Sequence, residues 1–405
     1  MNAEGDFEVA IAGGALVGAA LARALRGARI ALISRERLTG QAGAAEVDSR
    51  VNEGFDARVY AISPGNAAFL DRLGVWSAIP LAQKTPVHAM RVHGDDGASL
   101  IEFDAYRTGC SELAWIVEDG LLQDALWSGL QGQDGLSLFP ASMLRQLEIA
   151  GSRSVVTLED GRKLDAQLVV GADGAGSLVR TQARITVEER GYGQSAVVAN
   201  FACGWPHRNV AFQWFRGGQK GGAVLALLPL PGNHVSMVWS TTELEAARLL
   251  ALAPGALAAE VAAASREAVG ELALVTPQRG FPLRRLAAGR MVAPRVALAG
   301  DAAHVVHPLA GQGANLGLQD ARVLAEVLRS REPGRDPGDE RLLRRYERSR
   351  AEDILAMRTA VHGLFSLFDA RGAGISRFRN AGLNLADRMP VLKNLLMRHA
   401  MGLYQ

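Results

Sequence analysis

Apolar residues form short continuous runs at the start of the chain and again after residue 290, a pattern typical of buried parallel strands. The first run, residues 7–12, leads into a glycine-rich stretch at 13–18, a helical pattern at 19–26 and a second apolar run at 29–33. This order predicts a β-α-β unit that opens the chain. In such a unit, the pyrophosphate of a dinucleotide rests on the N-terminus of the first helix.

The glycine-rich stretch matches the G-x-G-x-x-G pattern of dinucleotide-binding turns only in part. Gly13 and Gly18 occupy the outer positions, but Ala15 stands where the backbone must approach the pyrophosphate closely. Ser34 stands where a ribose-binding acidic residue is expected, and Glu36 lies two positions further on. A slight shift of the loop accommodates the extra methyl, and Ser34 still offers its hydroxyl to a ribose, without the strength of a carboxylate. A β-α-β unit without a ligand is the alternative.

The apolar run at residues 296–299 ends at Gly300 and Asp301, and a helix is expected from about Asn315. The glycines of this stretch are Gly311, Gly313 and Gly317. A carboxylate at the carboxyl end of a buried strand can hold a ribityl or ribose hydroxyl. A glycine-rich helix start offers free N–H groups and a positive dipole end to developing negative charge. Together these features suit a flavin, whose reduced ring is anionic. An ordinary strand, loop and helix is the alternative.

Alternating apolar and polar positions in the middle of the chain predict antiparallel strands and hairpins. The runs are residues 88–93, 99–104, 155–158, 164–170, 193–203, 210–215, 223–228 and 234–239, followed by an Ala-rich helical stretch at 243–264. We expect most of them to form a separate sheet that covers the cofactor and shapes a substrate pocket. Its large apolar residues serve either as core or as pocket lining: Phe212, Trp214, Phe215, Leu227 and Trp239.

Composition narrows the function classes. A chain of 405 residues is long enough for two domains, and a formal net charge of +2 gives no indication of nucleic-acid binding. Cys110 and Cys203 are too few for a disulfide framework, and His304 and His307 are isolated imidazoles, so we expect a cytoplasmic protein without a metal site. The acidic N-terminus lacks the apolar stretch of a signal peptide, and we expect no membrane-spanning run.

Three separated motifs carry a resemblance to a known family. The stretch GDAAHVVHPLAGQGANLGLQDA, which begins at Gly300, resembles the second flavin motif of the aromatic-ring hydroxylases, specifically their ubiquinone-biosynthesis branch. The stretch GADGAGSLVR resembles their DG motif; it contains Asp173, and its Arg180 can bind phosphate or pair with that Asp. The segment DARVYAIS, followed by LGVW, resembles the block that places an arginine, here Arg58, near the flavin. An FPL step at residues 281–283 is also similar to the family's return to the flavin domain.

The resemblance implies an α/β fold with a discontinuous Rossmann-like FAD-binding domain, an inserted antiparallel-sheet substrate domain and C-terminal helices. The FAD-binding domain would comprise residues 1–86, 105–185 and 281–330, and the substrate domain residues 87–104 and 186–280. Residues 331–405 would form the C-terminal helical region, with one long helix and another at 361–368.

The implied activity is that of a class A flavin monooxygenase. NAD(P)H would reduce a noncovalent FAD, and O2 would form a C4a-hydroperoxyflavin that hydroxylates the ring of a polyprenylated phenol. The residues implied to bind FAD are Gly13, Ala15, Gly18, Ser34, Arg58, Asp173, Gly300, Asp301, Gly311, Gly313, Ala314 and Asn315. Those implied to act near the reacting ring are His307, Pro308, Gly311 and Gly313.

Alternatives remain open at this stage. Ala15 and Ser34 are compatible with a non-catalytic scaffold paralogue in a ubiquinone-biosynthesis assembly, which would bind other proteins of the pathway. A same-fold reductase or halogenase is a second alternative, although the WxWxIP signature of the halogenases is absent. A hydroxylase of a small aromatic acid is a third, and would need a buried Arg/Tyr pair. The basic, leucine-rich segment 371–405 either contacts the inner face of the cell membrane, docks on a partner or packs on its own domain.

Overall fold

The computed structural model describes residues 5–35, 55–96, 99–216, 223–306 and 312–369. In chain order, its strands are β1 (Asp6–Ala12), β2 (Ile30–Ile33), β3 (Val59–Ile62), β4 (Thr85–Val87), β5 (Ala89–His93), β6 (Leu100–Asp104), β7 (Ala114–Glu118), β8 (Leu136–Phe139), β9 (Leu144–Ala150), β10 (Arg153–Leu158), β11 (Lys163–Gly171), β12 (Val187–Cys203), β13 (Val210–Arg216), β14 (Ala223–Leu230), β15 (His234–Thr242), β16 (Leu272–Leu274), β17 (Arg279–Ala288), β18 (Val292–Ala293), β19 (Val296–Leu298) and β20 (His304–Val305). The helices are α1 (Leu16–Ala24), α2 (Pro64–Arg72), α3 (Asp119–Leu130), α4 (Leu178–Gln182), α5 (Glu243–Leu250), α6 (Pro254–Ala264), α7 (Gln312–Arg329) and α8 (Glu340–Asp369).

The first sheet has the strand order β18-β19-β11-β1-β2-β8, and all of these pairs are parallel except that of β18 with β19. The hairpin of β9 and β10 adds to the first half of β11. Three adjacent strands end in register, because Ala12 lies beside Gly171 and Gly171 lies beside Leu298. Since the loops after these residues leave one edge of the sheet, the three flavin-type motifs are neighbours in space.

The core of the first sheet is formed by apolar side chains on both faces of its central strands. Ile11, Ile30 and Leu32 are fully buried, as expected for parallel strands covered on both faces. Helix α1 packs against α3 and α7, and α8 packs against α7. Helix α1 is rich in alanine, which lets these helices approach closely.

The second sheet has the order β20-β17-β12-β15-β14-β13-β5-β6, with β16 also paired to β12. It is antiparallel except for the pair β13 and β5. Helices α5 and α6 cover one face and form an apolar core with it. That core includes Phe212, Trp214, Leu227 and Trp239, so these four serve as core. Phe215 is buried on the opposite face, because side chains alternate along β13.

A third, smaller sheet has the order β3-β7-β4 and lies between the other two. It packs against the face of the second sheet that α5 and α6 leave uncovered, through a cluster that includes Val87, Ile116, Ala211 and Leu230. Tyr60 lies in β3 and Arg58 immediately precedes that strand, and both interact electrostatically with Asp301 of the second flavin motif.

Several details differ from the sequence-based expectation. The Ala-rich stretch 243–264 forms two helices, because Pro254 begins the second of them. The expected domain boundary at residue 281 falls inside β17, which pairs with β12 up to Ala288. The two expected C-terminal helices form one, α8, since no proline interrupts residues 340–369. His307, Pro308, Gly311, Glu36 and the basic tail 371–405 lie outside the described residues.

Two further findings concern the described residues. None of their helices combines the length and the apolar character needed to span a bilayer. Their His, Cys, Asp and Glu side chains form no group of three or more that could hold a metal ion.

Candidate functional site

The first motif and the DG motif are in direct backbone contact. A Cβ on Gly13 would lie 2.1 Å from the carbonyl oxygen of Ala172, and Gly13 has a φ of 109°. A Cβ on Gly18 would lie 1.8 Å from the carbonyl oxygen of Gly13. A side chain at Gly13 would force the two loops apart, and the positive φ of Gly13 also favours glycine. A side chain at Gly18 would collide with the backbone of its own loop.

The second flavin motif joins the same cluster of loops. A Cβ on Gly317 would lie 2.6 Å from Cγ2 of Val17 and 3.3 Å from Cα of Gly300, so helix α7 crosses α1 closely. Arg180 is buried and donates to the carbonyl oxygens of Ala175 at 2.7 Å and Ala302 at 2.8 Å. Its guanidinium therefore ties the DG motif to the second flavin motif instead of pairing with Asp173.

No side chain of the described residues caps the start of α1. Ala15 is its N-cap, is exposed and provides no side-chain acceptor, and the first turn contains no acidic residue. The free N–H groups of this turn are suited to a pyrophosphate. Ser34 is only 2% exposed and packs against Gly14, whose carbonyl oxygen accepts a hydrogen bond of 3.1 Å from Nε1 of Trp127. Ala15 is thus on the exposed side of the turn, whereas Ser34 is buried beside Gly14 on its packed side.

Asp173 uses its two carboxylate oxygens differently. Oδ2 accepts hydrogen bonds from the backbone N–H groups of Leu178 at 2.8 Å and Val179 at 3.2 Å, and so holds the start of α4. Oδ1 is buried and has no hydrogen-bond partner among the described residues. A buried acceptor without a partner is costly, so a donor from a bound molecule would stabilise it.

Arg58, Tyr60 and Asp119 form a cluster of ionisable side chains beside the second flavin motif. Nη1 of Arg58 lies 4.0 Å from Oδ2 of Asp119, and its guanidinium carbon lies 5.4 Å from the ring centre of Tyr60. Burial acts to lower the pKa of Arg58, but Tyr60, Asp119 and Asp301 outweigh it and raise that pKa. Burial raises the pKa of Tyr60 and, despite Arg58, that of Asp119.

Asp301 lies three residues beyond the end of β19 and is exposed to solvent. Neighbouring protein atoms nevertheless displace water from its carboxyl and raise its pKa, whereas His304, Arg58 and Arg284 act in the opposite direction. An accessible carboxylate in a recess that disfavours its charge is suited to accept hydrogen bonds from hydroxyl groups, as the sequence predicts for a ribityl or ribose chain.

The start of α7 is fixed by Asn315, whose side chain is buried. Its Oδ1 accepts from the backbone N–H of Ser63 and from Nδ2 of Asn66, both at 2.9 Å, and its Nδ2 donates to the carbonyl oxygen of Ala61 at 2.7 Å. Asn315 therefore positions the helix through its side chain. Gly313, two residues earlier, is half-buried with free space where a Cβ would be, and Ala314 is also half-buried.

Sequence reasoning missed several of these residues. Ser63 Oγ and Gln123 Oε1 are buried atoms without a hydrogen-bond partner in the described ranges, and both lie on elements next to the motifs. Asp320 and Arg350 are fully buried and bind each other, and Asp320 also binds His304. A signal for Asp320 was available, because it lies on the same helical face as the buried Leu316 and Leu324 at a spacing of four residues.

These features fit a dinucleotide with a hydroxyl-bearing chain. Helices α1 and α7 both begin at the edge where the motifs meet, and no side chain of the described residues caps the first turn of α1. Buried acceptor atoms of Ser63, Gln123 and Asp173 have no hydrogen-bond partner in the described part of the chain, and each could take a hydrogen bond from a ribityl or ribose hydroxyl. FAD supplies both the pyrophosphate and the hydroxyls. His307, Pro308 and Gly311 lie outside the described residues, so their predicted role near the ring stays a prediction.

Comparison with known proteins agrees with this geometry. A family model described as FAD binding domain matches residues 6–359. Ubiquinone hydroxylase UbiL of Rhodospirillum rubrum is 35% identical over 404 residues, covering 99% of this chain and 91% of that protein. The 3-demethoxyubiquinol 3-hydroxylase of Escherichia coli is 33% identical over 400 residues, covering 98% of each.

A solved structure extends the comparison to the fold. The crystal structure of p-nitrophenol 4-monooxygenase PnpA from Pseudomonas putida has a TM-score of 0.75 and 18% identity, covering 97% of each chain. At this identity the likeness concerns the fold alone. The predicted fold class, the predicted FAD cofactor and the family resemblance are all confirmed. The chain therefore belongs to the family of FAD-dependent monooxygenases that contains the ubiquinone-biosynthesis hydroxylases.

Proposed function

We propose that this enzyme hydroxylates the aromatic ring of a polyprenylated phenol or quinone precursor in ubiquinone biosynthesis, with NAD(P)H and O2 as co-substrates. The observation that carries the proposal is the similarity to two ubiquinone hydroxylases across 98–99% of the chain. Because this similarity includes the second sheet as well as the first, it extends to the part that would contact the substrate.

Bound FAD would supply the redox chemistry, by taking a hydride from NAD(P)H and activating O2 for an electrophilic hydroxylation. The chain's own residues bind and orient it. The start of α1 would receive the pyrophosphate, Asp301 and the free Oδ1 of Asp173 would accept hydrogen bonds from hydroxyls, and the start of α7 would face negative charge on the ring. The third sheet, and the face of the second sheet opposite α5 and α6, would exclude water from this region.

The face of the second sheet opposite α5 and α6 carries neutral polar residues, which favours an uncharged substrate. Its buried polar residues include Asn200, Gln213 and Ser236, all neutral. The buried cations among the described residues are Lys84, Arg180, Arg295 and Arg350, and each donates hydrogen bonds to protein groups. A hydroxylase of a small aromatic acid would need a buried cation for the carboxylate, so a phenol with an apolar tail is favoured.

A polyprenyl tail would reside in a membrane, and the enzyme would then work beside one. The segment 371–405 alternates leucines and methionines with arginines, which suits contact with an anionic bilayer surface. Sedimentation with vesicles that contain an anionic lipid tests this part. We expect the full chain to co-sediment and a chain ending at residue 370 to remain in the supernatant.

The substrate proposal is tested with purified, FAD-loaded protein, NADH or NADPH, and a short-chain polyprenylphenol under isotopically labelled O2. We expect a product that has gained one labelled oxygen atom, with p-hydroxybenzoate as the control substrate left unchanged. Consumption of NAD(P)H with release of hydrogen peroxide but no oxygenated product would contradict the proposal. In a deletion strain, the quinone intermediate that accumulates would identify the ring position.

A further inference from the structure

A buried ionic network lies directly behind the second flavin motif. Oδ2 of Asp320 accepts hydrogen bonds from the backbone N–H of Gly300 at 2.9 Å and from Nε2 of His304 at 2.7 Å. Oδ1 of Asp320 accepts from Nε of Arg350 at 2.7 Å. Asp320 and Arg350 are 0% exposed and His304 is 4% exposed, so the whole network is removed from water.

The network joins four elements that are far apart in the chain. Gly300 follows β19, His304 begins β20, Asp320 lies in α7 and Arg350 lies in α8. Tyr346, four residues before Arg350 on α8, adds a hydrogen bond of 2.8 Å from its hydroxyl to the carbonyl oxygen of Leu298. The C-terminal helix therefore holds both the strand that ends at the motif and the helix that starts from it.

A contribution to stability does not by itself explain why Asp320 and Arg350 are charged residues in the core. Moving a carboxylate and a guanidinium out of water is costly, and apolar residues of similar size often hold a core at least as well. The Asp320 carboxylate bonds to the N–H of Gly300, the residue immediately before Asp301, which is expected to bind a flavin hydroxyl. The negative charge of Asp320 thus contacts the residue next to Asp301 in the chain. Arg350 also binds Asp353, whose side chain is 45% exposed, at 2.6 Å.

We infer that Asp320, His304 and Arg350 form a positioning network that fixes the Gly300–Asp301 turn for FAD and sets the electrostatic potential at the flavin. Asp320 orients the turn and His304, and Arg350 holds Asp320 from α8. None of the three contacts the substrate. The inference rests on the binding of FAD and not on the identity of the substrate.

The test uses purified protein and two readouts besides turnover: the FAD dissociation constant and the midpoint potential of the bound flavin. Asp320→Asn keeps the shape of the side chain but removes its negative charge, which leaves Arg350 positive. We expect FAD affinity to fall about tenfold, as for other groups that support a binding residue from behind. We expect the midpoint potential to rise, because the remaining positive charge favours the anionic reduced flavin.

Asp336→Asn is the matched control. Asp336 pairs with Arg295 at 2.5 Å, and Arg295 immediately precedes β19, whereas Gly300 follows it. Both variants remove a carboxylate from an arginine near one end of the same strand, but only one end faces the flavin. Arg350→Lys and His304→Asn are milder changes that decide the matter if Asp320→Asn does not fold.

Weaker FAD binding and a shifted potential in Asp320→Asn, with both unchanged in Asp336→Asn, would support the inference. Weaker FAD binding in Arg350→Lys and His304→Asn, with wild-type affinity in Asp336→Asn, would support it as well. FAD affinity and potential indistinguishable from wild type in the folded variants would overturn it and reduce the network to a structural role. Wild-type protein that binds no FAD would instead refute the proposed function, so the two failures are distinguishable.

Discussion

At the amino edge of the first sheet, surface arginines and carboxylates pair around a cavity of about 380 Å³ lined by Glu8, Arg29, Arg153 and Arg331, among others. Arg331 binds Glu8 at 2.7 Å, and Arg29 and Arg153 both bind Asp6. At the carboxyl edge, the described residues instead bring glycines into backbone contact, bury their ion pairs and leave acceptor atoms of Ser63, Gln123 and Asp173 without partners.

The difference shows how one sheet can hold a stable edge and a binding edge. Polar groups that satisfy each other gain little from a ligand, whereas unpartnered groups on a rigid backbone gain much. Substitutions at the amino edge should therefore change stability without changing FAD binding. Substitutions at the carboxyl edge should change FAD binding, and the four predictions below test this contrast.

The largest effect is expected for Gly18→Val. A Cβ at this position would lie 1.8 Å from the carbonyl oxygen of Gly13, and backbone must move to admit it. We expect loss of FAD binding together with a loss of stability above about 4 kcal/mol. Urea unfolding and flavin fluorescence measure the two quantities.

Gly27→Ala is the control for this change, because Gly27 follows α1 at the amino edge and has free space for a Cβ. Its φ of 91° strains any other residue, so we expect a loss of about 1–2 kcal/mol. FAD affinity should match wild type. A Gly18→Val protein that still bound FAD normally would contradict the contact argument.

Arg295→Met should have the next largest effect. Arg295 is 8% exposed and donates to the carbonyl oxygens of Gly151 at 2.7 Å and Gln167 at 2.8 Å, besides pairing with Asp336. Removing it leaves these acceptors unpaired, and we expect a loss of about 2–3 kcal/mol in the free energy of unfolding. The FAD dissociation constant, measured at a temperature where both proteins are folded, should not change. A parallel loss of FAD affinity would show that the two edges are coupled.

Acid should destabilise the carboxyl edge through Asp320. Burial alone would raise the pKa of this carboxyl, but His304 and Arg350 outweigh it and hold the pKa below its usual range. Its contribution to stability is therefore complete above the unfolded-state pKa of about 3.9 and is lost as the pH falls through the lower folded-state value. We expect unfolding free energies measured from pH 5 down to pH 3 to fall less steeply in Asp320→Asn than in wild type, by up to about 1.4 kcal/mol per pH unit. Equal slopes would contradict the assigned direction.

The smallest effect is expected for Asp301→Asn in FAD-free protein. Burial raises the pKa of Asp301, so its charge opposes folding at pH values above that pKa. Because the side chain reaches solvent, we expect the variant to be more stable at pH 7 by no more than about 0.5 kcal/mol. FAD binding should nevertheless weaken. A variant that lost stability and kept its FAD affinity would remove Asp301 from the proposed site.

The sequence predicted the features that follow from backbone conformation, namely buried strands and the glycine-rich turns after them. Strands that end in glycine-rich turns identify the motif edge, because Gly13, Gly300 and Asp173 each follow the end of an apolar run. Packed side chains were harder to predict. Arg180 looked like a phosphate ligand or a partner of Asp173 but donates to two carbonyl oxygens, which no spacing rule reveals.

Long-range partners explain the other omissions. Asp320 and Arg350 are thirty positions apart, and Asn315 and Ser63 are separated by more than two hundred. Their contacts depend on how α8 and α2 pack against α7, and a single sequence does not contain that information. The extent of β17 was similarly hidden, because it is set by pairing with β12 from Arg279 to Ala288, a long-range contact that no local pattern reveals.

The visible absorption spectrum of the purified full chain tests the central claim most directly, namely that three separated motifs bind one FAD. We predict flavin bands at close to one FAD per chain, which pass into solution when the protein is denatured because the cofactor is not covalently held. A colourless protein that also fails to quench the fluorescence of added FAD would contradict the account.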